Sequence, residues 1–169
     1  MPAARLHKDG AYETRNPYQV HAGQDLAQLL GYVTPFAAVA PDRTEIGTVR
    51  NREGGLRKDT WTVTQHGLAT FDGTPDGANS KLRHASPLRL IPFRELGDNL
   101  LSFRLRFRAP QSQGFTVTRR AGVRATYEAK IDDPRVSRLL VLACIVQLNN
   151  DTVDPRKTAV DFTANPFKG

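Results

Sequence analysis

The residues able to do chemistry in this 169-residue chain are scattered, with one exception. His7, His21, His66 and His84 stand far apart, and no two share the i, i+4 spacing that presents a metal ligand pair on one helix face. Asp72, Thr74, Asp76 and Gly77 match the opening of a calcium-binding EF-hand loop, but Arg83 stands where the bidentate glutamate is required. Segment 72–80 therefore reads as a turn-rich loop, and no metal site is expected. No nucleophile elbow, P-loop or dinucleotide fingerprint occurs, so no cofactor is implied and the chain reads as non-enzymatic.

The exception is a set of cations. Between residues 99 and 130 lie Arg104, Arg106, Arg108, Arg119, Arg120, Arg124 and Lys130 against Glu128 alone. Phe103, Leu105 and Phe107 alternate with Arg104, Arg106 and Arg108, the period of a strand with one face on a core. The three arginines then share the outward face, joined on the following strands by Arg120, Arg124 and Lys130. Six cations on one face form a platform for phosphate groups, which the planar guanidinium fork suits. The plainer alternative is a solvated face whose arginine stems cover apolar surface and whose charges discourage aggregation. Eighteen of the 24 basic residues are arginine, which codon bias in a high-GC genome also explains. Nucleic acid is disfavoured as a ligand, because the interleaved aromatics face the core and have no base to stack on.

The elements that position this face run along most of the chain. Residues 1–31 are polar and irregular, an N-terminal extension expected to give one edge strand or a short helical turn. Residues 32–39 and 45–50 flank Pro41-Asp42-Arg43, a hairpin signal. Residues 51–55 form a turn, 58–65 are rich in β-branched and aromatic residues, 68–71 form a short strand, and 88–93 form a weak strand broken by prolines. Strands 103–108, 115–118 and 123–131 show the clearest alternation. Next come Asp132-Asp133-Pro134 and the run Leu139 to Val146, apolar at eight consecutive positions. Asp133 is expected to cap a helix over 133–150 that has Pro134 at its first position. Such a helix is apolar on every side and must be enclosed, since each buried aliphatic side chain contributes about 1.5–3 kcal/mol. A membrane span needs about 20 apolar residues, and this run is too short and flanked by charge. The single cysteine, Cys144, lies inside the run and reads as a core hydrophobe. The N-terminus has no secretory pattern, and residues 152–169 read as a tail.

Strands that enclose such a helix form either two sheets around it or a closed barrel, and closure removes exposed edges. Two passages then resemble a known family. FAAVAPDRTEIGTVRNREGGLRKDTWTVTQHG opens with strand, polar turn and strand, and GFTVTRRAGVRATYEAKIDDPRVSRLLVLACIVQLNND runs a strand through Asp-Pro into a hydrophobic helix. Together they frame about residues 32–151 and look like the tubby-like, phospholipid-scramblase and LURP-one-related superfamily, in the bacterial LURP-one-like form. The resemblance implies a mostly β fold: a twelve-stranded antiparallel closed barrel enclosing a hydrophobic C-terminal helix. It also implies peripheral membrane binding, since tubby barrels hold phosphoinositides through outer lysines and arginines. The cysteine-rich and acidic calcium-binding segments of scramblases are missing from the sequence, so calcium-driven scrambling is not implied.

The expectation is a cytoplasmic binding module, peripheral to the membrane. It would hold anionic phospholipid or phosphoinositide through Arg104, Arg106, Arg108, Arg120, Arg124 and Lys130. The alternative, from another class, is a structural or adaptor protein that docks on a protein partner through the same face or its terminal extensions.

Overall fold

A computed structural model describes residues 5–8, 17–52, 60–76, 102–120 and 126–152. In it the short alternating segments become ten strands: β1 (Arg5–His7), β2 (Tyr18–Ala22), β3 (Gln28–Val33), β4 (Ala37–Val39), β5 (Glu45–Arg52), β6 (Thr60–Gln65), β7 (Ala69–Pro75), β8 (Phe103–Ala109), β9 (Ser112–Arg120) and β10 (Thr126–Ile131). Each pairs antiparallel with the next, so one sheet runs from β1 to β10 in chain order. Its first and last strands are not hydrogen-bonded to each other. Among the described residues the protein is therefore mostly β, an antiparallel sheet with one C-terminal helix, and hydrogen bonds do not close this sheet into a barrel.

Local chemistry makes the reversals. Thr34 Oγ1 accepts from the amides of Phe36 and Ala37 at 3.2 and 3.0 Å, turning β3 into β4. This turn splits the single strand expected over 32–39, because the threonine hydroxyl offers the backbone a local alternative to the ladder. The Pro41-Asp42-Arg43 hairpin forms as expected, with Asp42 Oδ1 accepting from Thr44 N at 2.9 Å and Arg43 at φ 72°. The Arg43 guanidinium lies over the Tyr32 ring, 3.8 Å from its centroid.

The inward residues form one core. Val20, Val33, Val49, Val63, Phe71, Leu105, Phe107, Phe115 and Val117 are fully or almost fully buried. Phe107 stacks on Phe115 at 4.5 Å, and Phe71 meets Phe115 edge-on at 5.9 Å. The helix α1 (Arg138–Thr152) lies closest to β3, β4, β5 and β6. Leu140, Val141, Ala143, Cys144 and Leu148 are buried, and Leu142, Ile145 and Val146 are half-buried against the same core. The face carrying Leu142, Ile145 and Val146 is thus less covered than the full enclosure expected from the apolar circumference of the run. A glycine in β5 lets the helix come close: a Cβ on Gly47 would stand 3.1 Å from Leu140 Cδ2 and overlap the Thr64 carbonyl oxygen. Among the described residues no helix is long and apolar enough to cross a membrane.

Several boundaries differ from expectation. Residues before 32 supply β1, β2 and most of β3, with Val20 fully buried, so this stretch is part of the sheet. The strand expected over 68–71 continues to Pro75, because Gly73 and Thr74 pair with Phe107 and Arg106 of β8. The helix starts at Arg138 instead of near Asp133. Its first bond runs from Val141 N to Ser137 O at 3.1 Å, which makes Ser137 the capping residue. Residues 132–137 are held instead as a separate turn by long-range bonds: Gln65 Nε2 donates to Arg135 O at 2.9 Å, and Ser137 N donates to Gln65 Oε1 at 2.8 Å. The strand expected over 88–93 and the tail after 152 lie outside the described residues, as does most of the 51–55 turn.

Candidate functional site

The outer face of β7 to β10 collects the cations. Along β8, Phe103, Leu105 and Phe107 are buried while Arg104 and Arg108 are exposed and Arg106 is half-buried on the opposite side. Register then fixes the neighbours. Arg106 stands opposite Thr74 on β7 and Thr116 on β9, and Thr116 stands opposite Lys130 on β10. Arg104 stands opposite Thr118, which faces Glu128, and Arg120 stands opposite Thr126. Arg108 stands opposite Asp72. Five of the six cations named from the sequence thus share one face, and Arg124 lies outside the described residues. Arg119 takes the other side of β9 with Phe115 and Val117 and is 2 % exposed, so it does not belong to the face.

The face is less basic than the sequence suggested, since carboxylates are interleaved with the cations. Arg104 Nε lies 3.5 Å from Asp76, Arg120 Nη2 lies 2.8 Å from Glu128, and Lys130 Nζ lies 2.8 Å from Asp132. The hydrogen bond from Lys130 holds the Asp132 carboxyl below the ordinary carboxylate range, and the charges of Arg106 and Arg104 add to the effect. The Glu128 pairing likewise raises Arg120. Arg106 and Arg108 make no ion pair among the described residues. All three pairs have at least one well-exposed member, so each is worth about 0–1 kcal/mol and exchanges readily. Only Glu128 stood out as a counter-charge in the sequence. Asp72 and Asp76 were hidden by the loop reading of 72–80, although Thr70, Asp72, Thr74 and Asp76 keep a period of two that extends β7.

One end of the face is anchored by a polar lock. Asp133, 6 % exposed, accepts from Arg135 N and Nε at 3.0 Å on Oδ1, and from Arg135 Nη2 at 2.8 Å and Ser112 Oγ at 2.5 Å on Oδ2. These donors hold its carboxyl far below the usual range, those of Arg135 first and that of Ser112 next. Arg135 Nη2 also reaches Gln111 O at 2.9 Å, tying the turn to the β8–β9 loop. Gly114 O accepts from the amides of both Asp132 and Asp133, at 3.0 and 3.1 Å. The lock has a serine and a carboxylate but no histidine, and the carboxylate is saturated by donors. It orients a turn and has no free base to offer a substrate.

No cluster of three metal-ligating side chains occurs among the described residues. No family model, curated protein or solved structure matches the chain.

Proposed function

We propose that the protein is a non-enzymatic binding module whose outer β8–β10 face contacts anionic phospholipid at a membrane surface. The observation that carries this reading is the adjacent pair Arg106 and Arg108, outward on one strand and in no ion pair among the described residues. Around them Arg104, Arg120 and Lys130 sit in exposed ion pairs that a lipid phosphate displaces at little cost. Near an anionic leaflet each uncommitted cation adds about 1 kcal/mol, which gives weak, salt-sensitive association. What supports a tubby and LURP-one type of module is the antiparallel strand succession with an apolar C-terminal helix packed against it. The proposed binding needs the outer face alone and does not depend on barrel closure. A cytoplasmic, membrane-peripheral location goes with this reading.

Co-sedimentation with phosphatidylserine-containing vesicles tests it. The full chain is expected to pellet with these vesicles, to stay in solution with purely zwitterionic ones, and to be released by high salt. Equal partition into both kinds of vesicle, or none into either, overturns the lipid reading.

A second reading is favoured by the interleaved Asp72, Asp76, Glu128 and Asp132. A checkerboard of both signs is a pattern that a protein partner matches charge by charge, whereas a lipid surface offers only one sign. In that case the same face docks on a protein, and vesicle binding is absent.

A further inference from the structure

We propose that the edge of β10 turned away from β9 pairs with β10 of a second copy of this chain, joining two sheets into one. β10 ends the strand order, and its only ladder partner among the described residues is β9. Thr126, Glu128, Ala129 and Lys130 are all exposed, so the strand is open to solvent along its length. The direction of its backbone follows from one bond. Asp132 N donates to Gly114 O, toward β9. Antiparallel ladders alternate, so the amides and carbonyls of Ala129 and Ile131 point the other way, out from the sheet edge. An edge of this kind is a template for another strand.

The occupant is read from the order of side chains. In an antiparallel register centred on Ala129, Glu128 stands opposite Lys130 of the second copy, and Lys130 opposite its Glu128. Two-fold symmetry supplies both pairs at once. Ala129 meets Ala129, and Tyr127 meets Ile131 on the core side. Opposite charges facing each other across a strand pair are favourable, and like charges are unfavourable. The side chains of Glu128 and Lys130 are 60 % and 75 % exposed, and their present partners, Arg120 and Asp132, lie within the same chain on the same outer face. The other edge has no such match: centring β1 on Leu6 sets Arg5 against His7, which offers no carboxylate to the arginine. A two-fold axis normal to the sheet keeps both outer faces on one side, so the two sets of arginines become contiguous. The pairing itself does not rest on lipid binding.

Sedimentation equilibrium of the full chain over a wide concentration range is the test. The wild type is expected to show a monomer–dimer equilibrium. Glu128→Lys and Lys130→Glu, each placing like charges opposite one another twice, are expected to weaken dimerisation about tenfold or more. The double variant Glu128→Lys/Lys130→Glu restores the pairs and is expected to recover most of the affinity, a rescue that general destabilisation does not produce. Thermal unfolding of each variant checks that the monomer still folds. A wild type that stays monomeric throughout, or a dimer indifferent to both single reversals, overturns the proposal. So does amide-exchange protection of Ala129 that is independent of concentration, which points to edge closure within one chain.

Discussion

At the scale of single residues, a cation's position on the strand matters less than what has already claimed it. Arg104, Arg120 and Lys130 are matched by Asp76, Glu128 and Asp132, whereas among the described residues Arg106 and Arg108 have no ion pair, and nothing in the 99–130 stretch distinguishes the two groups. The counter-charges come from β7 and from the turn after β10, which only pairing register brings alongside. The outward placement of the β8 arginines was legible, because three apolar residues at a period of two leave one side for them. Asp133 is expected to cap the helix and does not: Ser112 and Arg135 take its carboxylate, and the helix begins after Ser137. Since folding lowers the Asp133 pKa from an ordinary value of 3.8, its contribution to stability is complete above that value and is lost as pH falls through the folded-state pKa. The Tm of the wild type should therefore fall on acidification below that value. Asp133→Asn should lower Tm at neutral pH and flatten the acid limb, as followed by circular dichroism. At Gly114, φ +69° and the overlap of any Cβ with Phe107 O leave room for glycine alone. Gly114→Ala should cost at least about 1–2 kcal/mol from the left-handed backbone, measured by denaturant unfolding.

At the scale of elements, the helix and the strands that face it depend on one another. The apolar run at 139–146 predicts burial on all sides; α1 has it for Leu140, Ala143 and Cys144, which are fully buried, and only in part for Leu142, Ile145 and Val146. Leu140→Ala should destabilise by about 2–5 kcal/mol in urea titrations, the upper part applying if Gly47 and its neighbours cannot close the gap. Val141→Asp places an unpaired charge in the core, and the expected product is insoluble or molten protein. Cooperative unfolding of that variant at wild-type stability would contradict the buried helix. Where elements were misread, tertiary bonds had overruled local signals. Gln65 holds the 134–137 turn from 70 residues away and delays the helix to Arg138. Pairing with β8 draws Asp72 to Pro75 into a strand despite their loop composition. The threonine at 34 acts the other way, cutting one expected strand into two through bonds no longer than three residues.

At the scale of the whole molecule, the ten described strands in simple succession give a sheet with two distinct sides. The inner side and the helix make the core, and the outer side of β7 to β10 makes a charged surface on which Arg106 and Arg108 have no ion pair among the described residues. The net charge of +7 is a property of the whole chain, so any binding that depends on total charge alone should be insensitive to where a cation is removed. Binding by this face should depend on position. The direct measurement compares two charge-matched variants on phosphatidylserine vesicles, Arg106→Glu/Arg108→Glu on β8 and Arg50→Glu/Arg52→Glu on β5, where both arginines are exposed. The β8 variant should lose more than about tenfold in partition coefficient, and the β5 variant should lose far less. Equal losses in the two, or a β8 variant that binds like wild type, would contradict a binding surface centred on β8.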